Sequence, residues 1–214
     1  KPGCDTLFMI FMIQLYTKMC RVFASHIDSF DAIATNYIDL ALNLFIRQPN
    51  SLMTVWSLVQ FLEDCDYYDL RRNFLDQNEA NKMNFVKAIC VCVSSPSHWM
   101  RYVALRLGTF LPLLTTLAGP DEEETVLDII GLLLEAVTMP ISLETEREYV
   151  RTMGKVEVFL RSEALTQEFV DITRACCLGL LQAKFQPMWE PAVKCMLADS
   201  DNASTNDSFW SLLL

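Results

Sequence analysis

The sequence predicts an all-α fold, an α-solenoid of antiparallel helix pairs, on three observations. Apolar residues recur three and four positions apart through most of the chain, the spacing that lays them along one helical stripe. The intervals between these runs are short and rich in Pro, Gly, Asn and Ser, the residues that stop helices and form turns. No stretch alternates apolar and polar residues with a period of two, so no strand is expected. Composition agrees. Of 214 residues, 52% are hydrophobic and only 6 are Gly, which suits packed helices and neither disorder nor a turn-rich β fold.

Taken in order, residues 5–24 contain LFMIFMI at 7–13, with Lys18 and Arg21 close behind. That is far short of the ~20 apolar residues of a membrane span, so a buried helix is expected. A second helix is expected over 29–47, with Ser29 as its cap, Tyr37, Leu40 and Leu44 on one stripe, and Pro49 beyond its end. Ser51 caps the next, to about Leu62, with Leu52, Val55, Trp56 and Val59 as its apolar face. A short helix over 66–76 carries Arg71 and Arg72, and the Asn-rich run at 77–84 reads as a turn before a helix over 83–93. Pro96 and Ser97 open a helix that Pro112 ends or kinks. Gly119-Pro120 is a turn, and Asp121 to Glu124 place four carboxylates where the dipole of the following helix, to about Val137, favours them. After Pro140, residues 144–160 form a charged, more exposed helix. Ser162 then caps a helix over 163–184, and helices over 188–198 and 208–214 close the set.

Between the last two long helices lies an elbow, Phe185-Gln186-Pro187-Met188-Trp189-Glu190-Pro191. Pro187 and Pro191 cannot continue the first helix, yet either suits the opening turn of the next. Phe185, Pro187, Trp189 and Pro191 are therefore the structural elbow, with Trp189 expected as a buried packing anchor. Helix pairs recur at roughly 35–45 residues, the period of HEAT-type repeats, without clean self-similarity between them. Residues 1–143 are read as HEAT-like repeats and 144–214 as the charged helix followed by a further repeat, in one continuous solenoid cut from a longer protein.

Residues around the elbow carry a family resemblance. Gly179-Leu180-Leu181 closing a helix, then Lys184-Phe185, then Trp189 with Pro191-Ala192, resembles the DRIM family of the small-subunit processome. Arg101-Tyr102-Val103-Ala104-Leu105-Arg106-Leu107 and Glu146-Arg147-Glu148-Tyr149 echo it in the same order. The resemblance implies a scaffold segment of a large ribosome-assembly factor in the nucleolus, supporting 18S pre-rRNA processing. Other processome proteins would be its direct partners, with pre-rRNA and the U3 snoRNA reached through the assembly. The alternative is a HEAT-repeat protein-binding module of another class, a transport receptor or a kinase-associated solenoid.

No motif for chemistry is present. The six Gly stand apart without a phosphate-cradling pattern, and no nucleophile elbow occurs. His98 reads as a polar helix-start residue beside Trp99. Cys90-x-Cys92 and Cys176-Cys177 lack zinc spacing, and the eight Cys sit mostly in apolar helical runs as small hydrophobes. The Asn202 and Asn206 sequons fall in a polar loop. No enzyme activity, cofactor, metal, membrane or small-molecule substrate is expected. A net charge of −10 disfavours a phosphate grip. The best contact for RNA or an acidic partner is Arg147, Arg151 and Lys155, four apart along one side of a helix and partly neutralised by Glu144 and Glu148.

Overall fold

Every complete element that the computed structural model describes is helical, and no strand occurs among the described residues. Those residues are 11, 14–15, 18, 40–64, 79–109, 120–161 and 166–198. The expected helix at 66–76 with Arg71 and Arg72, the caps Ser29 and Ser162, the stop at Pro112, the sequons and the 208–214 helix lie outside them. No helix among the described residues is long and apolar enough to cross a membrane.

The chain divides into two compact units, Lys1–Ala88 with Phe110–Thr116, and Ile89–Thr109 with Leu117–Leu214. In the first, a helical run over 40–47 precedes α1 (Leu52–Asp64). Ser51 caps α1 as expected, its Oγ accepting from the Thr54 N–H at 3.4 Å. The buried face of α1 centres on Val55, Leu58 and Val59, while Trp56 and Leu52 are only partly covered. Phe45 meets Phe85 edge-on, with ring centroids 5.3 Å apart. Of the 5–24 segment, residues 11, 14, 15 and 18 are described; they are helical, and Phe11 and Leu15 are exposed, while the rest of the expected helix lies outside the described residues. Residue Gln14 there bonds the Ser57 hydroxyl of α1 at 3.3 Å.

Helix α2 (Glu79–Val93) starts four residues earlier than the sequence predicts. The Asn run, turn-like by composition, costs only a few tenths of a kcal/mol per residue in a helix. Buried Phe85, Val86, Ile89 and Val93 on the same helix outweigh that cost.

The second unit holds α3 (His98–Gly108), α4 (Pro120–Thr138), α5 (Glu146–Arg161), α6 (Gln167–Leu181), a 3-10 turn at Gln186–Met188 and α7 (Trp189–Leu197). Ser97 caps α3 by accepting from the Met100 N–H. Pro120 takes the first position of α4, where a missing N–H costs nothing. Helix α6 is shorter than expected, because Thr166 is extended at φ −69° and ψ 155° and the helix starts at Gln167.

Packing joins α3 to α4, α4 to α5 and to α6, and α7 to both α5 and α6. Helix α6 is the enclosed member. From Phe169 to Leu180, all but Leu178 are buried. Its end lies against the last turn of α2: a Cβ on Gly179 would collide with the Val93 carbonyl oxygen and come within 2.8 Å of Arg101 Cδ. Only a residue without a side chain permits that approach. Gln182 donates to the Ser94 carbonyl at 2.8 Å just beyond it.

Candidate functional site

Helix α5 is amphipathic by sequence, and the structure sorts its faces by residue. Tyr149, Thr152, Met153, Val156 and Leu160 are buried. On the α4 side, Thr152 Oγ1 donates to Glu135 Oε1 at 3.0 Å. On the α7 side, the Tyr149 hydroxyl donates to the Met188 carbonyl at 3.4 Å, and Cys195 Sγ lies 3.2 Å from the Met153 carbonyl. The two contacts come in the same order along both helices, so α5 and α7 run in the same direction.

Helix α7 carries two apolar stripes. Ala192 and Cys195 form the buried one, continued by Met188 of the preceding 3-10 turn. Trp189, Val193 and Leu197, one step round the helix, are 42%, 40% and 59% exposed. Trp189 is therefore not the buried anchor that the sequence suggested; Met188, at 5% exposure, fills that place. The cause is register. A helix face that takes Met188, Ala192 and Cys195 inward turns the neighbouring residue ~100° away. The indole is still fixed, because Nε1–H donates to the Ala183 carbonyl at 2.8 Å and closes the elbow.

The elbow itself forms as expected. Phe185 is extended at φ −140° and ψ 97°, Pro187 sits in the 3-10 turn, and Pro191 sits in the first turn of α7, where its ring is tolerated. Phe185, Pro187 and Pro191 are each partly covered.

Between α5 and the elbow lies an open groove of about 820 Å³. Val150, Pro187, Trp189, Pro191 and Val193 give it apolar walls, and Glu146, Gln186, Glu190 and Lys194 supply its polar groups. Lys194 Nζ is 2.8 Å from Glu190 Oε1, an exposed pair one turn apart. Glu190 is held below its ordinary pKa, and Lys194 above, by that hydrogen bond first and by mutual attraction second.

Arg147, Arg151 and Lys155 are all exposed on the outer face of α5, and none lines the groove. The structure keeps them on one face, as the spacing predicts. Sequence reasoning missed Glu146, Val150, Val193 and Lys194. Their signal was the second stripe, Trp189-Val193-Leu197, one residue out of step with the buried one.

The interior of the second unit holds more ionisable groups than an apolar helix pattern suggests. Arg101, Asp171 and Arg174 are 5%, 3% and 2% exposed. Arg101 donates through an Nη to the Ser95 carbonyl at 2.7 Å. Burial lowers its pKa, against the opposing pull of Cys176 and Tyr149. Burial pushes the thiols of Cys92 and Cys176 up to about 12 and raises those of Cys90 and Tyr149's hydroxyl further. Cys177 is raised too, chiefly through its hydrogen bond with Cys195. Thiols held protonated are poor nucleophiles and poor metal ligands. No group of three His, Cys, Asp or Glu among the described residues is placed to hold a metal ion. His98 stacks edge-on to Trp99 at the exposed start of α3, with centroids 5.5 Å apart.

Comparison with protein-family models, curated proteins and solved structures finds no match to this chain.

Proposed function

We propose that this chain is a protein-binding scaffold, a segment of a HEAT-like α-solenoid, and that the groove between α5 and α7 is where it holds a partner. The solenoid reading is supported by the circuit α4–α5–α7–α6, in which two successive helix pairs pack pair on pair and α5 and α7 run in the same direction. The observation that carries the scaffold reading is the groove's uncovered apolar wall. Val150, Trp189 and Val193 stay 40–46% exposed on two packed helices, one of which buries Tyr149, Met153, Val156 and Leu160 and the other Ala192 and Cys195. A half-exposed indole, held by its own hydrogen bond among prolines and valines, is the kind of anchor that interfaces use.

The resemblance at Gly179-Leu180-Leu181, Lys184-Phe185 and Trp189-x-Pro191-Ala192 supports a narrower form of the proposal. In that form the scaffold belongs to the small-subunit processome, acts in the nucleolus during 18S pre-rRNA maturation, has no enzymatic activity, and meets pre-rRNA and the U3 snoRNA through neighbouring proteins. Gradient sedimentation of the tagged chain from nuclear extract tests it. Co-migration with large pre-ribosomal particles containing 18S precursors is expected. Migration as a small species, or with particles lacking pre-rRNA, would overturn the narrower form.

A further inference from the structure

We propose that the groove between α5 and α7 reads a single arginine or lysine set within an apolar segment of the partner protein. This rests on the scaffold reading and adds the chemistry of the partner. Three charged side chains line the groove, and two of them, Glu190 and Lys194, neutralise each other at 2.8 Å. The third, Glu146, is partly covered and makes no ion pair with the described residues. Among the described residues, the groove thus carries one uncompensated carboxylate between apolar walls. An acidic partner segment would set like charge against it, whereas a cation would complete it.

The walls fit the rest of such a side chain. Val150 and Val193 offer apolar surface for an aliphatic stem. Trp189 contributes its ring, since its N–H is already given to Ala183, and an indole is the best aromatic partner for a cation. The chain's net charge of −10 attracts a basic segment at longer range. Selection for one cation, not a run of them, comes from Arg147, Arg151 and Lys155, exposed on the adjoining face of α5. Arg147 follows Glu146 by one residue, ~100° round the helix, so a polybasic tract laid along α5 meets repulsion on leaving the groove.

The test is fluorescence anisotropy of the whole chain with a dye-labelled peptide, Ser-Leu-Leu-X-Leu-Leu-Ser, in which X is arginine, its neutral isostere citrulline, or glutamate. The arginine peptide should bind about tenfold more tightly than the citrulline peptide, the size expected of a charge-assisted hydrogen bond. Glu146→Gln, checked for an unchanged amide spectrum, should erase that preference, and Lys87→Gln, at an exposed cation of α2 that does not line the groove, should leave it in place. Equal binding of arginine and citrulline, preference for glutamate, or no binding of any of the three overturns the proposal. An arginine preference without co-sedimentation on pre-ribosomal particles would sink the processome assignment alone; co-sedimentation without the preference would sink only this inference.

Discussion

Four residues show how local chemistry sets the behaviour of the second unit. Gly179 is required by contact: an added methyl meets the Val93 carbonyl oxygen and the Ser94 backbone carbon at 3.2 Å, neither of which can swing aside as a side chain would. Gly179→Ala should therefore cost about 2–3 kcal/mol, the upper range for overpacking, read as a lower urea midpoint. Met188 and Trp189 reverse the roles that the sequence suggested for them. Met188→Ala, emptying a site 5% exposed, should cost about 2–4 kcal/mol. Trp189→Ala should cost about 1 kcal/mol, since it removes one exposed hydrogen bond and partial packing. A larger loss for the tryptophan in the same denaturation assay would contradict this ordering. Asp171 is set by burial, which lifts its pKa from 3.8 to about 6 against the Gln167 hydrogen bond at 2.8 Å and the charge of Arg174. The folded state thus holds a proton that the unfolded chain has released. The associated stability is complete below the unfolded pKa of 3.8 and is lost as pH rises through about 6. Relative to Asp171→Asn, which lacks the titration, the native protein should lose about 2 kcal/mol between pH 4 and pH 7. A flat difference between the two across that range would rule it out.

At the scale of elements, helices were legible where one apolar stripe met one breaker. Ser97 before α3, Pro120 opening α4 and the double proline of the elbow each fix an end by a local steric or hydrogen-bonding rule. Legibility failed where a local signal competed with burial. The Asn run before Phe85 looks like a turn only until Phe85, Ile89 and Val93 are seen to be buried on the same helix. It failed again where one helix carries two apolar stripes. On α7, the choice between Met188-Ala192-Cys195 and Trp189-Val193-Leu197 depends on the position of Tyr149 and Met153 on α5, which no pattern within α7 reveals. That ambiguity hid the groove. The basic face of α5 was legible because exposed charges need only their own helix's period, and Arg147, Arg151 and Lys155 keep it.

At the scale of the whole second unit, the enclosure of α6 makes one region the last to open. This helix packs against α4 and α7, meets Arg101 of α3 and the last turn of α2 at Gly179, and buries nearly every residue from Phe169 to Leu180. None of those contacts can be broken without exposing apolar surface on at least two helices. Exchange of the α6 backbone amides should therefore require global opening of the unit. Helix α7 differs: one stripe is buried by Ala192 and Cys195, while Trp189, Val193 and Leu197 face outward, so fraying from Leu197 costs little apolar contact. Native-state hydrogen exchange should show the amides from Ile172 to Gly179 as the slowest of the described residues, with a denaturant dependence equal to that of global unfolding. Amides in the last turn of α7 should exchange faster by several orders of magnitude and respond weakly to denaturant. If α6 exchanges through local opening at the rate of α7, its neighbours do not enclose it, and the penalty assigned to Gly179→Ala fails with it.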